Sequence, residues 1–154
     1  MKTVIRNSQQ AIVLLFLLAS VQITCSGQVK NPQFFNDPGS TYPFSLAVKA
    51  GDLVFVSGVL GTDKDGKLDP DFKKQSVQVM ENIKARVEKL GYSMKDIVKC
   101  TVMIKEMSKW ADFNEVYKTY FNPDRYPARS AMGVSGLALG AEMEVEVVVY
   151  APGK

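Results

Sequence analysis

Two features late in the chain could do chemistry: an arginine behind a proline, and a row of glutamates at every second position. Arg129 stands in Tyr126-Pro127-Ala128-Arg129-Ser130, where the proline ring fixes φ and so sets the direction of the backbone that carries the arginine. Its guanidinium is a planar fork that matches a carboxylate or a phosphate. The spacing leaves two roles open, gripping such a ligand or pairing with a local glutamate. Glu142, Glu144 and Glu146 lie in a strand pattern that closes at Tyr150, and strand alternation puts them on one face with Val148 and Tyr150. Met143, Val145, Val147 and Val149 take the other face. A glutamate among apolar neighbours is expected to be partly buried, which raises its pKa and suits it to hold or activate a water. A solvated acidic stripe, or an ion pair with Arg129, is equally open. Ser57, at the end of a strand pattern, and Asn114, within a helical one, could reach a ligand or simply bond the backbone.

Composition removes several chemistries. The chain of 154 residues has no histidine, which excludes Ser-His-Asp and Cys-His catalysis, histidine-based ribonuclease chemistry and the commonest zinc sites. It has no glycine-rich phosphate loop, no CxxC pair and no clustered acidic pattern, so no nucleotide, metal or organic cofactor is expected. Lys73, Lys74, Lys84, Arg86 and Lys89 alternate with glutamates and read as a solvated helix face rather than a nucleic-acid patch.

The elements that must position these residues follow in order. Lys2 and Arg6 precede an apolar run from Ala11 to Ala19 and the small or polar Thr24-Cys25-Ser26-Gly27, the order of a secretory signal peptide over residues 1–27. The run is too short to span a bilayer. Export to the periplasm or the exterior is expected, with cleavage after Gly27 or lipid attachment at Cys25 as alternatives. Without those residues the chain carries 17 basic and 16 acidic side chains, a net charge of +1, which disfavours a general polyanion binder. Cys100, left alone in Val98-Lys99-Cys100-Thr101-Val102, reads as a buried core thiol.

Residues 28–41 read as an N-terminal arm and 42–154 as the folded domain. Leu46–Lys49 and Leu53–Gly58 form a hairpin about Ala50-Gly51-Asp52. Asp69-Pro70 predicts a helix start, with Phe72, Ser76, Met80, Ile83, Val87 and Leu90 on its apolar face and Gly91 at its end. A strand over Ile97–Lys105 is expected to place Val98, Cys100, Val102 and Ile104 on one side. A second helix runs from Met107 to Tyr120, and strands from about Ala128 to Val134 and up to Tyr150 close the chain. The order ββαβαββ predicts an α+β sandwich, a mixed sheet with two helices on one face. Its other face keeps apolar residues, which points to burial by oligomerisation.

Tyr126-Pro127-Ala128-Arg129-Ser130, Ser135-x-Leu137 and Met143-Glu144-Val145 together resemble the signature of the RidA (YjgF) family of enamine and imine deaminases. The likeness extends back through Phe44-Ser45-x-Ala47-Val48, Leu53–Gly58 and Phe113-Asn114-x-Val116-Tyr117, and covers Pro43 to Tyr150. It implies a chorismate-mutase-like fold, a homotrimer with an inner barrel of sheets, and ligand clefts between neighbouring subunits. It further implies that Arg129 grips a substrate carboxylate with help from the backbone N–H of Ala131, and that Glu144 holds the attacking water. Ser57 and Asn114 would line the cleft, and Phe44 would form the wall contributed by the neighbour.

The implied reaction is cofactor-free hydrolysis of an enamine or imine, of the 2-iminobutanoate or 2-iminopropanoate type, to a 2-oxo acid and ammonia. The sequence departs from the deaminase pattern at Phe44 (usually tyrosine), Val59 (glutamine), Ala131 (cysteine), Gly133 (an acidic or polar residue) and Ala138 (proline). A more apolar cleft is expected, suited to a bulkier acid or to binding without turnover. The competing reading is therefore a trimeric, non-catalytic binder of small carboxylates. Ribonuclease activity, known for some relatives, fits poorly with the missing histidine and near-neutral charge.

Overall fold

The computed structural model describes residues 31–153. The expected signal peptide and Cys25 lie outside the described residues. The elements are β1 (Gln33–Phe35), β2 (Ala47–Ala50), β3 (Leu53–Leu60), α1 (Phe72–Lys89), β4 (Ile97–Ile104), α2 (Trp110–Tyr117), β5 (Ala128–Gly133) and β6 (Met143–Tyr150). Short 3-10 turns at Met107–Lys109 and Lys118–Tyr120 extend α2 at both ends to the predicted span. The strands form one six-stranded sheet in the order β1-β2-β3-β6-β4-β5. Every pairing is antiparallel except β4 with β5, so the sheet is mixed, as predicted.

Alternation in β6 builds the core. Met143, Val145, Val147 and Val149 are buried, together with Val54, Val56, Cys100, Val102 and Ile104 from the neighbouring strands, beneath Val79, Met80, Ile83 and Val87 of α1 and Phe113 of α2. The helices thus cover one face only. The other face leaves Phe55, Met132 and Tyr150 exposed. Burying apolar area at roughly 25 cal/mol per Å² makes the covered face the main stabiliser of the fold. Two buried or half-buried amides fasten α1 to the sheet. Gln75 donates to the Asp69 carbonyl (2.8 Å) and accepts from the Glu142 N–H (2.9 Å), and Asn82 donates to the carbonyls of Leu60 (2.9 Å) and Thr62 (2.8 Å).

Several expectations shift. The arm is not structureless, because Gln33, Phe34 and Phe35 pair with Lys49, Val48 and Ala47. The cap of α1 is Asp71 rather than Asp69. Asp71 accepts from the Lys74 N–H (2.9 Å), while Asp69 accepts from the Asp71 N–H and shapes the preceding turn. At the other end Gly91 takes φ +84 and its N–H meets the Glu88 carbonyl, with Tyr92 N–H on that of Val87, a Schellman closure. A register shift between Ile97 and Lys99 buries Ile97 and turns Val98 outward, whereas Cys100, Val102 and Ile104 keep the predicted side. β3 does not stop at Gly58 but continues to Leu60 through a bulge, in which Ser57 and Gly58 stand between the pairs Val56–Val147 and Val59–Val145.

Candidate active site

Arg129 lies on β5, in register with Cys100, so it rises from the helix-covered side of the sheet. Its guanidinium carbon sits 4.5 Å from the ring centroids of both Trp110 and Tyr117. None of the ion pairs among the described residues includes it. Glu142, which precedes β6, lies at the Lys105 end of the sheet and is engaged there. It meets Lys109 at 3.1 Å and Lys105 at 3.5 Å, and its bond to Lys109 holds its carboxyl below the usual carboxylate range.

Asn114, Tyr117, Lys118, Tyr126, Pro127 and Arg129 line one cleft of about 380 Å³. Asn114 therefore shares the arginine's cleft. Ala131 is two residues further along the edge strand. The Val134 N–H bonds the Ile104 carbonyl, and strand N–H groups alternate in direction, so the N–H of Ala131 points away from β4 to the free edge. Tyr117 is only 4% exposed, and its hydroxyl lies against the Cys100 thiol. Burial pushes both that hydroxyl and the neighbouring Cys100 thiol up, the thiol to about 11.

Glu144 lies on β6 opposite Leu60 and Met103, on the side that no helix covers. It is half-buried. Desolvation, and then the nearby charge of Glu146, raise its pKa. Its carboxylate rests against Gly58, where a Cβ would overlap Oε1 and crowd Cδ. The absence of a side chain at Gly58 thus leaves the space that the Glu144 carboxylate occupies. Ser57, next to it in the bulge, donates its hydroxyl to the Ser45 carbonyl (2.7 Å), which anchors the segment carrying Phe44. The Phe44 ring is half exposed and stacks on Tyr42 with centroids 5.2 Å apart.

The site residues expected from the sequence consequently fall into two groups. Arg129, Asn114 and Ala131 gather at α2 and the β5 edge, whereas Glu144 and Ser57 lie at the β3 bulge, with Phe44 tethered beside it. Strand register puts the two charged residues on opposite faces. Arg129 aligns with Cys100 and hence with Val147, while Glu144 aligns with Met103. Within one chain the sheet separates them. A larger cavity, of about 680 Å³ between Lys67–Pro70 and the first turns of α1, holds none of these residues.

Trp110, Tyr117 and Gly58 were missed as site residues. Trp110 and Tyr117 read as helix packing and Gly58 as a strand end, although the seven-residue spacing of the two rings on one helix face was a usable signal.

The family model described as Endoribonuclease L-PSP matches residues 34–151. The chain belongs to the RidA family. Among RidA-family relatives, a RutC family protein of Pyrococcus horikoshii is 43% identical over 117 residues, 75% of this chain and 92% of its own. TdcF of Escherichia coli, provisionally named a reactive intermediate deaminase, is 35% identical over 72% of this chain and 88% of its own. Its crystal structure with bound serine superposes with a TM-score of 0.69, at 32% identity, over 77% of this chain and 98% of that one. RidA from an Antarctic Psychrobacter gives a TM-score of 0.70 at 38% identity over 77% and 98%. The ββαβαββ order, preceded here by β1, is the RidA, chorismate-mutase-like fold.

Proposed function

We propose that this RidA-family chain is an exported deaminase. It hydrolyses reactive enamine or imine intermediates of amino acids to 2-oxo acids and ammonia without a cofactor. The observation that carries the reading is the pairing of an arginine that forms no ion pair among the described residues with a half-buried glutamate of raised pKa, on opposite faces of one sheet. Two such half-sites need a second copy of the chain to meet. The exposed Phe55, Met132 and Tyr150 of the open face favour the same solution, a homotrimer with clefts between neighbours. The name of TdcF supports the reaction class, and the charged, apolar and small-residue order of residues 1–27 supports export.

In this scheme Arg129 takes the substrate carboxylate in the plane of its guanidinium, with the Ala131 N–H as a further donor. The imine carbon then lies beside Glu144 of the neighbouring copy. Ionised Glu144 accepts a proton from water as the oxygen bonds to that carbon and the C=N π electrons move to nitrogen, and the proton then passes from Glu144 to that nitrogen. The resulting carbinolamine loses ammonia as the C–N bond breaks and the C=O bond forms. The carbon is already electrophilic, so positioning and one general base are sufficient.

A non-catalytic carboxylate-binding trimer is the second reading, favoured by the fact that Arg129 and its cleft are complete without Glu144. The two separate on freshly generated 2-iminopropanoate. The deaminase reading predicts pyruvate release above the buffer rate, lost in Arg129→Ala and Glu144→Gln. Wild-type protein no faster than buffer, yet binding the acid in calorimetry, would establish the second reading.

A further inference from the structure

We propose that Trp110 and Tyr117 are positioning residues that hold Arg129 as an uncompensated cation with its N–H edge turned to the cleft. The inference rests on the reading of Arg129 as the carboxylate grip. An arginine at a protein surface ordinarily finds a carboxylate, and such a pair must be broken before a ligand can bind. Arg129 has taken aromatic partners instead, with both ring centroids 4.5 Å from its guanidinium carbon. Stacking occupies the faces of the guanidinium and leaves its edge donors unspent.

The surroundings preserve that state. Cys100, in register with Arg129, is buried, and its thiol is pushed up to about 11. At neutral pH no thiolate forms there to neutralise the guanidinium. Glu115 is held by Lys118 at the cleft rim. Trp110 and Tyr117 are in turn fixed through Phe113, which lies 5.9 Å from the first ring and 5.8 Å from the second. The clamp is therefore anchored in the core, because Phe113 is fully buried. The Tyr117 hydroxyl lies against the Cys100 thiol, so the ring face is what that residue offers the arginine.

Trp110 is the single tryptophan of the chain, which makes its emission a direct reporter. The full chain, without its leader, is titrated with propanoate, and with propanamide as the uncharged control, by calorimetry and by Trp110 fluorescence. Propanoate is expected to give a saturable change in emission and propanamide none. Trp110→Leu should weaken propanoate binding about tenfold, whereas Trp110→Phe and Tyr117→Phe, which keep a ring, stay within about threefold of wild type. Propanoate affinity lost in Arg129→Ala but unchanged in a folded Trp110→Leu overturns the clamp and leaves the carboxylate grip standing. Wild-type protein that binds no propanoate overturns both. Should Trp110→Leu fail to fold, the wild-type protein decides, since calorimetric binding with no change in Trp110 emission also overturns the clamp.

Discussion

Gly58→Ala displaces the Glu144 carboxylate without removing it. The added Cβ would fall on Oε1 of Glu144 and crowd Cδ and Cγ, all parts of one flexible side chain. The sheet does not have to move, but the carboxylate does. Gly58 is not among the residues with positive φ, so alanine is compatible with its backbone. Turning Glu144 off its preferred rotamer costs about 0.5–1.5 kcal/mol. Restricting the unfolded chain returns roughly 0.4–1 kcal/mol. Stability should therefore change by less than about 1 kcal/mol, whereas a carboxylate displaced by about 1 Å or more should lose on the order of 10²-fold in kcat. Gly61→Ala is the contrasting control, because its Cβ would meet the backbone carbonyl of Gln75 and should cost about 1–3 kcal/mol of stability. The assay is pyruvate release from 2-iminopropanoate alongside thermal melts and propanoate calorimetry. Gly58→Ala with wild-type kcat and wild-type stability refutes the assignment of Glu144 as the base.

Four further outcomes follow from the structure. The proposed base must be ionised, and its pKa is raised, so the acid limb of the kcat profile should lie above the ordinary glutamate value of about 4.3. Glu146→Gln should move that limb to lower pH, and a limb that stays put contradicts the proposed coupling. By the same sign, a raised carboxyl pKa favours folding at low pH, and that contribution is lost as pH rises through the folded-state value, so Glu144→Gln should melt higher than wild type at neutral pH. Gln75→Leu leaves the Glu142 N–H and the Asp69 carbonyl without their partner and should cost about 1–3 kcal/mol in denaturant unfolding. Cys100, buried and with a thiol pushed up to about 11, should resist iodoacetamide at pH 8 until the protein is unfolded, and rapid labelling of the native chain contradicts its core placement.

Much of this was readable from residue order, for physical reasons. The period-two pattern of β6 specified which residues would be buried, because a strand in the middle of a one-sided sheet has no other way to hide its valines. The helical spacing through Trp110, Phe113 and Tyr117 likewise specified α2. The cap of α1 was misread because Asp69 and Asp71 flank Pro70 and are chemically equal candidates, and only the closed turn shows which one the Lys74 N–H reaches. Val98 was misplaced because a single-residue register shift inverts alternation without changing composition.

At the site, the identities of Arg129, Glu144 and Asn114 were legible from their motifs. Their division between two faces was not, since it depends on which strands are neighbours. β5 follows α2 in the chain, yet it joins β4 in parallel at the sheet edge, and that long-range pairing decides where Arg129 points.

The central claim is that a working site combines Arg129 of one copy with Glu144 of its neighbour. Co-expression of Arg129→Ala with Glu144→Gln tests it most directly, with each variant also purified alone. Both single-variant oligomers should be inactive. The co-expressed population should regain about a quarter of the wild-type rate, because random assembly of a cyclic trimer places an intact Arg129 next to an intact Glu144 at about that fraction of all its interfaces. Mixed oligomers, verified by mass, that remain as inactive as the single variants would contradict the shared site.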